Sequence, residues 1–271
     1  MWAVSAIALG LAVLAGPQSS PWAAPRSAQV STVQAEAVLA RARTALGGNA
    51  RLSAVQSFVI GGVISVGSGA TRNYGSFKIQ CRLPDAFVRY KSVTSLTAGG
   101  GASVDTGTTN SYGSGTVAPY GVRFATTLGF EGRRVLYEDH RTTTWETRNL
   151  VPATQADLDA LFLQAQREFV RTTVGLFAAS FAGAPVLFAD VPGDVNAVMI
   201  DGVGAALKLS IDPQSHLPVR VDNYVLANHR DVAGLVVPFR ILLMAGRAVL
   251  ETWDVKEFKV DEPIPPSVFR R

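Results

Sequence analysis

Two periodicities divide the chain. Between Ser31 and Leu46 the apolar positions Ala35, Val38, Leu39, Ala42 and Leu46 fall on one helical stripe. This spacing predicts a helix that enters through Ser31-Thr32-Val33-Gln34, stops at Gly47-Gly48 and is followed by a short helical piece over 49–55. From Phe58 the period becomes two. Phe58, Ile60, Gly62, Ile64 and Val66 alternate with smaller or polar neighbours, as do Phe77, Ile79, Cys81 and Leu83 beyond the connection 67–74. Pro84-Asp85 then turns the chain into a strand over 86–92. Three hairpin-linked strands make an antiparallel meander with one buried face, the other face being expected to carry Lys78, Arg89 and Lys91. Further strands are predicted over 122–128, 133–137 and 142–149, with Phe130-Glu131-Gly132 turning between the first two.

Thr154 followed by Asp157 marks the start of the longest helix, a hydroxyl cap with an acidic residue at the positive end of the helix dipole. Leu158, Leu161, Phe162, Ala165, Phe169 and Val170 line one side of it. Arg171-Thr172-Thr173-Val174-Gly175 has poor helix propensity and predicts a break, with 176–181 as a second apolar turn. A second meander follows: 195–200 and 204–211 around Asp201-Gly202, a turn containing His216, then 219–227, 236–244 and 248–260. His216 is expected in the left-handed region that this turn needs. In the last strand the apolar phase slips between Val255 and Phe258, which predicts a bulge at Lys256-Glu257 that bends the sheet. The segment from Asn228 to Phe269 reads as the edge that closes that sheet, with Trp253 as its inward anchor.

Composition narrows the class. At 271 residues, 48% hydrophobic and 17% charged, the chain is long and apolar enough to fold around a full core. Its net charge of +4 comes from 25 basic residues against 21 acidic ones, with no basic block longer than Arg133-Arg134 or Arg270-Arg271, so nucleic acid is not an expected partner. Ala3 to Ala15 is an uncharged apolar run of signal-peptide length, too short to span a bilayer. The expected organisation is a signal peptide over 1–28 and one domain over 29–271, exported to the periplasm or beyond as a soluble protein. The Gly/Ser/Thr-rich stretch 96–120 cannot supply a core and reads as a flexible insertion. The single cysteine, Cys81, sits in phase with buried positions and excludes an intrachain disulfide.

No catalytic constellation is visible. His140, His216 and His229 are too far apart in sequence for a metal motif, and neither HxxxH nor HExxH spacing occurs. Glu138 and His140 would share a strand face, but a surface hydrogen bond accounts for that pairing. No GxSxG elbow is present. The expectation is a protein that is not an enzyme, with neither metal nor cofactor.

The chain resembles the LolA-like family of exported lipoprotein carriers. The resemblance rests on Ala45-Leu46-Gly47-Gly48, Arg82-Leu83-Pro84-Asp85, Gly129-Phe130-Glu131-Gly132, Ile211-Asp212-Pro213 with Leu217-Pro218, and Arg230-Asp231-Val232-Ala233-Gly234 with Val237-Pro238. It implies an α+β fold, a curved antiparallel sheet forming an incomplete barrel with helices covering the concave face. It also implies a monomer whose cavity between sheet and helices holds lipid or lipoprotein acyl chains, with transient membrane contact. Under that resemblance the inward residues Ile60, Ile64, Phe77, Ile79, Leu161, Phe162, Phe169 and Trp253 are the candidate ligand-binding set. The alternative is an envelope sensor or interaction module that docks a protein partner on the same fold without lipid cargo.

Overall fold

A computed structural model describes residues 26–67, 72–96, 121–142, 147–150, 152, 154–178, 186–188, 197–201 and 206–270. Residues 1–25 of the predicted signal (1–28) and nearly all of the Gly/Ser/Thr-rich insertion lie outside the described residues. Among the described residues thirteen strands form one sheet, in the order β6-β5-β4-β3-β2-β1-β13-β12-β11-β10-β9-β8-β7. The first group is β1 (Ser57–Val66), β2 (Asn73–Arg82), β3 (Ala86–Leu96), β4 (Gly121–Glu131), β5 (Arg134–Thr142) and β6 (Thr147–Leu150). The second is β7 (Val186–Phe188), β8 (Ala197–Asp201), β9 (Ala206–Ile211), β10 (Pro218–Val221), β11 (Tyr224–Val232), β12 (Leu235–Ala245) and β13 (Ala248–Val260). Each neighbouring pair is antiparallel.

Among the described residues three α-helices accompany the sheet: α1 (Arg26–Ala45), α2 (Asn49–Ala54) and α3 (Gln155–Phe177). Helix α3 packs on β3, β4 and β5 and also on β9 and β10. In a flat sheet β3 and β10, six strand spacings apart, would be roughly 29 Å from each other, far more than one helix can bridge. The sheet therefore curls around α3 as an open half-barrel whose edge strands, β6 and β7, do not pair with each other. Helix α1 covers β7 and β8 on the same side, and the Leu46 carbonyl accepts from the Val236 amide at 3.0 Å.

Curvature has a local cause. Between β1 and β13 the register shifts where Gly61 faces Glu257 and Gly62 faces Val255, leaving Lys256 as the extra residue of the predicted bulge. Gly62 is required there, because a Cβ at that position would lie 2.2 Å from the Asp254 carbonyl oxygen. His216 adopts φ 58°, as its turn demands.

Several expectations are corrected. Strand β13 lies in the middle of the sheet between β1 and β12, not at an edge, because the sheet is assembled from two meanders joined through the first and last strands. Helix α3 continues through Arg171–Gly175. Thr173, Val174 and Gly175 are buried there, and the Thr172 and Thr173 hydroxyls bond back to the carbonyls of Glu168 and Phe169, so burial outweighs weak propensity. Helix α1 starts at Arg26, upstream of the expected Ser31. Phe130 and Glu131 belong to β4, and the turn falls at 132–133. The segment 219–227 is interrupted by a turn at Asp222-Asn223, with Asp222 at φ 51°, and 142–149 divides between β5 and β6.

The outer face has a small core of its own. A closing 3-10 turn, Pro266–Phe269, seats Phe269 against Ala86, Val88 and Leu136. Arg82 lies over the Phe269 ring at 5.2 Å and donates to Glu131 at 2.9 Å.

Candidate ligand-binding site

Alternation along the strands brings one set of side chains to the concave face. Phe87, Arg89, Lys91 and Val93 point inward from β3, opposite Cys81, Ile79, Phe77 and Gly75 of β2. Arg89 and Lys91 thus face the helix side and not solvent, a correction to the expected outer face. Only Lys78 of that trio is exposed. The reason is the partners they meet across the half-barrel. Arg89 Nη1 lies 2.7 Å from Glu168 Oε2 of α3, with both side chains largely buried. Lys91 Nζ bonds Glu251 Oε1 of β13, and Trp253 Nε1 donates to the other Glu251 oxygen at 2.8 Å.

Beneath α3 these residues border an apolar cavity. Its floor is Ile60, Ile79 and Phe87 on one side and Leu226, Ile241 and Trp253 on the other. Its roof is a single stripe of α3, Glu168, Arg171, Thr172 and Gly175, which share a face at helical spacing. Gly175 keeps the roof close, since a Cβ there would approach Val221 Cγ2 to 3.1 Å and Leu226 Cδ1 to 3.2 Å. Arg171 reaches Asp222 at 3.4 Å and covers the Tyr224 ring at 5.0 Å. Burial, seconded by the Glu168 charge, pushes the Tyr224 hydroxyl above its ordinary pKa. The cavity leaves about 50 Å³ for the centres of water-sized spheres, enough for a few waters.

A second, wider hollow lies further along the concave face. Val66, Asn73, Lys91, Val93, Phe124 and Thr126 line it, and by the same measure it offers about 340 Å³. Phe124 is 38% exposed there. The Lys91–Glu251–Trp253 chain stands between hollow and cavity, Lys91 lining the first and Trp253 the second.

The candidate residues read from the sequence divide into three groups. Ile60, Ile79 and Trp253 line the cavity. Ile64 and Phe77 are buried beside it, Phe77 with its ring 4.9 Å from Trp253. Phe162 and Phe169 pack edge-on against Phe130 at 5.9 and 5.5 Å, filling the space under the first half of α3, and Leu161 is half-buried at the margin of that cluster. The polar members Arg89, Glu168, Arg171 and Tyr224 were not in the candidate set. Their signals were the shared phase of Arg89 with Phe87 and the spacing of Glu168, Arg171, Thr172 and Gly175.

Glu138 and His140 share a face of β5, 3.8 Å apart and more than a third exposed. His229 lies within β11 opposite Pro238, and burial holds its pKa below the ordinary value. Cys81 is fully buried, and desolvation first, then Asp85, raises its thiol pKa far above the usual range. Among the described residues no three acidic, histidine or cysteine side chains group to hold a metal, and no helix is long and apolar enough to cross a membrane.

No family model matches the sequence, and no curated protein matches it. Solved structures do. A LolA superfamily protein of Nitrosomonas europaea aligns with 87% of this chain and 96% of its own at 10% identity, TM-score 0.41. A domain assigned to outer membrane lipoprotein sorting, from Vibrio parahaemolyticus, aligns with 87% of this chain and 97% of its own at 9% identity, TM-score 0.43. A DUF1329 family protein of Desulfovibrio piger covers the same share of this chain and 96% of its own at 10% identity, TM-score 0.42. The chain is thus similar to structures of the LolA superfamily and of lipoprotein sorting over 87% of its length, at low sequence identity.

Proposed function

We propose that this protein binds the acyl chain of a lipid or lipoprotein on the concave face of its half-barrel and carries it between membranes. The observation that carries the reading is the apolar cavity under α3, with an apolar hollow beyond it on the same face. Each buried CH₂ is worth about 0.8 kcal/mol against water, so a chain of roughly 14 carbons needs cover while it crosses an aqueous compartment. A membrane offers that chain a similar environment, and transfer costs little in either direction. The cavity as it stands is too small for such a chain. Binding therefore requires α3 to lift from the sheet, and its roof is held by two ion pairs, Arg89–Glu168 and Arg171–Asp222. Native mass spectrometry of protein purified without detergent tests the reading. Lipid-sized adducts, lost on mild organic extraction, are expected; a chain that is always found bare, and that takes up no added amphiphile, removes the proposal.

A further inference from the structure

Arg89 carries a feature that the acyl-chain reading does not use. Its Nη1 is engaged by Glu168, but its Nε is buried and has no hydrogen-bond partner. A guanidinium offers two parallel N–H groups to a planar anion, and a buried N–H left without an acceptor is unfavourable. Arg171 lines the same cavity from the helix side, held to Asp222 only at 3.4 Å. Two cations thus border a cavity whose remaining surface is mainly apolar, with Glu168 as the single carboxylate among its lining residues. Such a pocket, apolar with a few convergent polar groups, selects a ligand that is apolar along its length and anionic at one end.

We propose that the ligand is a single-chain anionic amphiphile whose carboxylate or phosphate head is held by Arg89, with Arg171 beside it. This rests on the acyl-chain reading and narrows it. The head takes the place of Glu168 on Arg89, so the event that satisfies the ligand's charge also releases the ion pair that holds α3 to β3. The tail then occupies the space between Ile60, Ile79, Ile241 and Trp253 that the lifted helix uncovers. The head group and the helix carboxylate compete for one guanidinium, so ligand entry and roof opening are coupled.

Decanoate and decanol share a chain and differ in charge, which makes them the test pair, with binding read by displacement of a fluorescent apolar probe from the purified protein. Decanoate is expected to bind about tenfold or more tighter than decanol. Arg89→Gln removes that preference without weakening decanol. Glu168→Gln, which releases the roof for both ligands and also removes the competitor for the head while keeping a hydrogen-bonding amide for Arg89, tightens decanoate by more than decanol; it carries the test if Arg89→Gln does not fold. Equal binding of acid and alcohol overturns the head-group assignment and leaves the acyl-chain reading standing. So does a loss of both ligands in proportion in the folded Arg89→Gln protein, or an unchanged decanoate affinity in Glu168→Gln. Displacement by acetate or inorganic phosphate at the concentrations where decanoate acts identifies a free-anion site and overturns the amphiphile. Binding of neither decanoate nor decanol overturns both proposals.

Discussion

The two ends of the concave face obey the same rule of alternation and come out differently. Under α3, inward residues meet a helix: Phe87, Phe130 and Phe169 interlock with centroids 5.5 to 6.4 Å apart, and what remains open is small. Toward Val66 and Phe124 no described helix lies opposite, and apolar side chains line an open hollow instead. What separates filled core from open hollow here is the element facing the strand, not the residues on it. Valine and phenylalanine serve at both ends.

Substitutions can break this comparison, the largest effect first. Phe169→Ala removes a buried ring from the filled end and is expected to cost about 3–5 kcal/mol, whereas Phe124→Ala at the open end costs less than about 1 kcal/mol. Denaturant midpoints at constant slope decide it, and equal losses would mean that the hollow is ordinary core. Glu168→Ala leaves the buried Arg89 guanidinium without its partner and is expected to cost about 3–5 kcal/mol. Lys259→Ala, on an exposed pair with Glu257, should not move the midpoint measurably.

Gly175→Leu sharpens the contrast from the roof. A side chain there meets Val221 and Leu226 at once, and overpacking of about 1–3 kcal/mol is expected. The same substitution in a roof that lifts freely would leave stability unchanged and block ligand, so midpoint and binding are read together. The last effect concerns pH and the outer face. Hydrogen bonds from Arg82, then Arg270, hold the Glu131 carboxyl below its ordinary 4.5. A depressed folded-state pKa means that the unfolded chain takes up the proton first. The contribution is therefore complete above about 4.5 and is lost as pH falls from there through the folded value. Glu131→Gln should flatten that part of the stability profile, and an unchanged slope would show that the contact with Arg82 has no weight in solution.

Much of the architecture could be read from alternation. The β1–β3 meander, the capped start of α3 and the Lys256 bulge each had a local signature in period, capping pair or phase slip. What was illegible depended on the partner. Charges usually face water, which argues for an outward Arg89 and Lys91, although their phase with Phe87 and Val93 points inward. Only the approach of Glu168 and Glu251 from other elements makes the inward position affordable. The run Arg171–Gly175 looks like a break until its burial is known. Alternation on the strands and the helical stripe on α3 could say which candidate ligand-contacting residues faced in, but they could not separate Trp253 beside an opening from Phe169 inside a filled cluster.

The joining of first and last strands in the middle of the sheet has a consequence in time. Ser57 donates to the Glu262 carbonyl across 205 residues of chain, and Asp261 accepts from the Gln56 amide and from Arg51, so the seam is tied where β1 begins and β13 ends. Until β13 is available, β1 and β12 are both bare edges with unpaired backbone groups. The seam depends on contacts of the longest range, which form late and slowly. A chain still being synthesised has two half-sheets and no floor to its cavity, and the arrival of its last strand makes them one molecule.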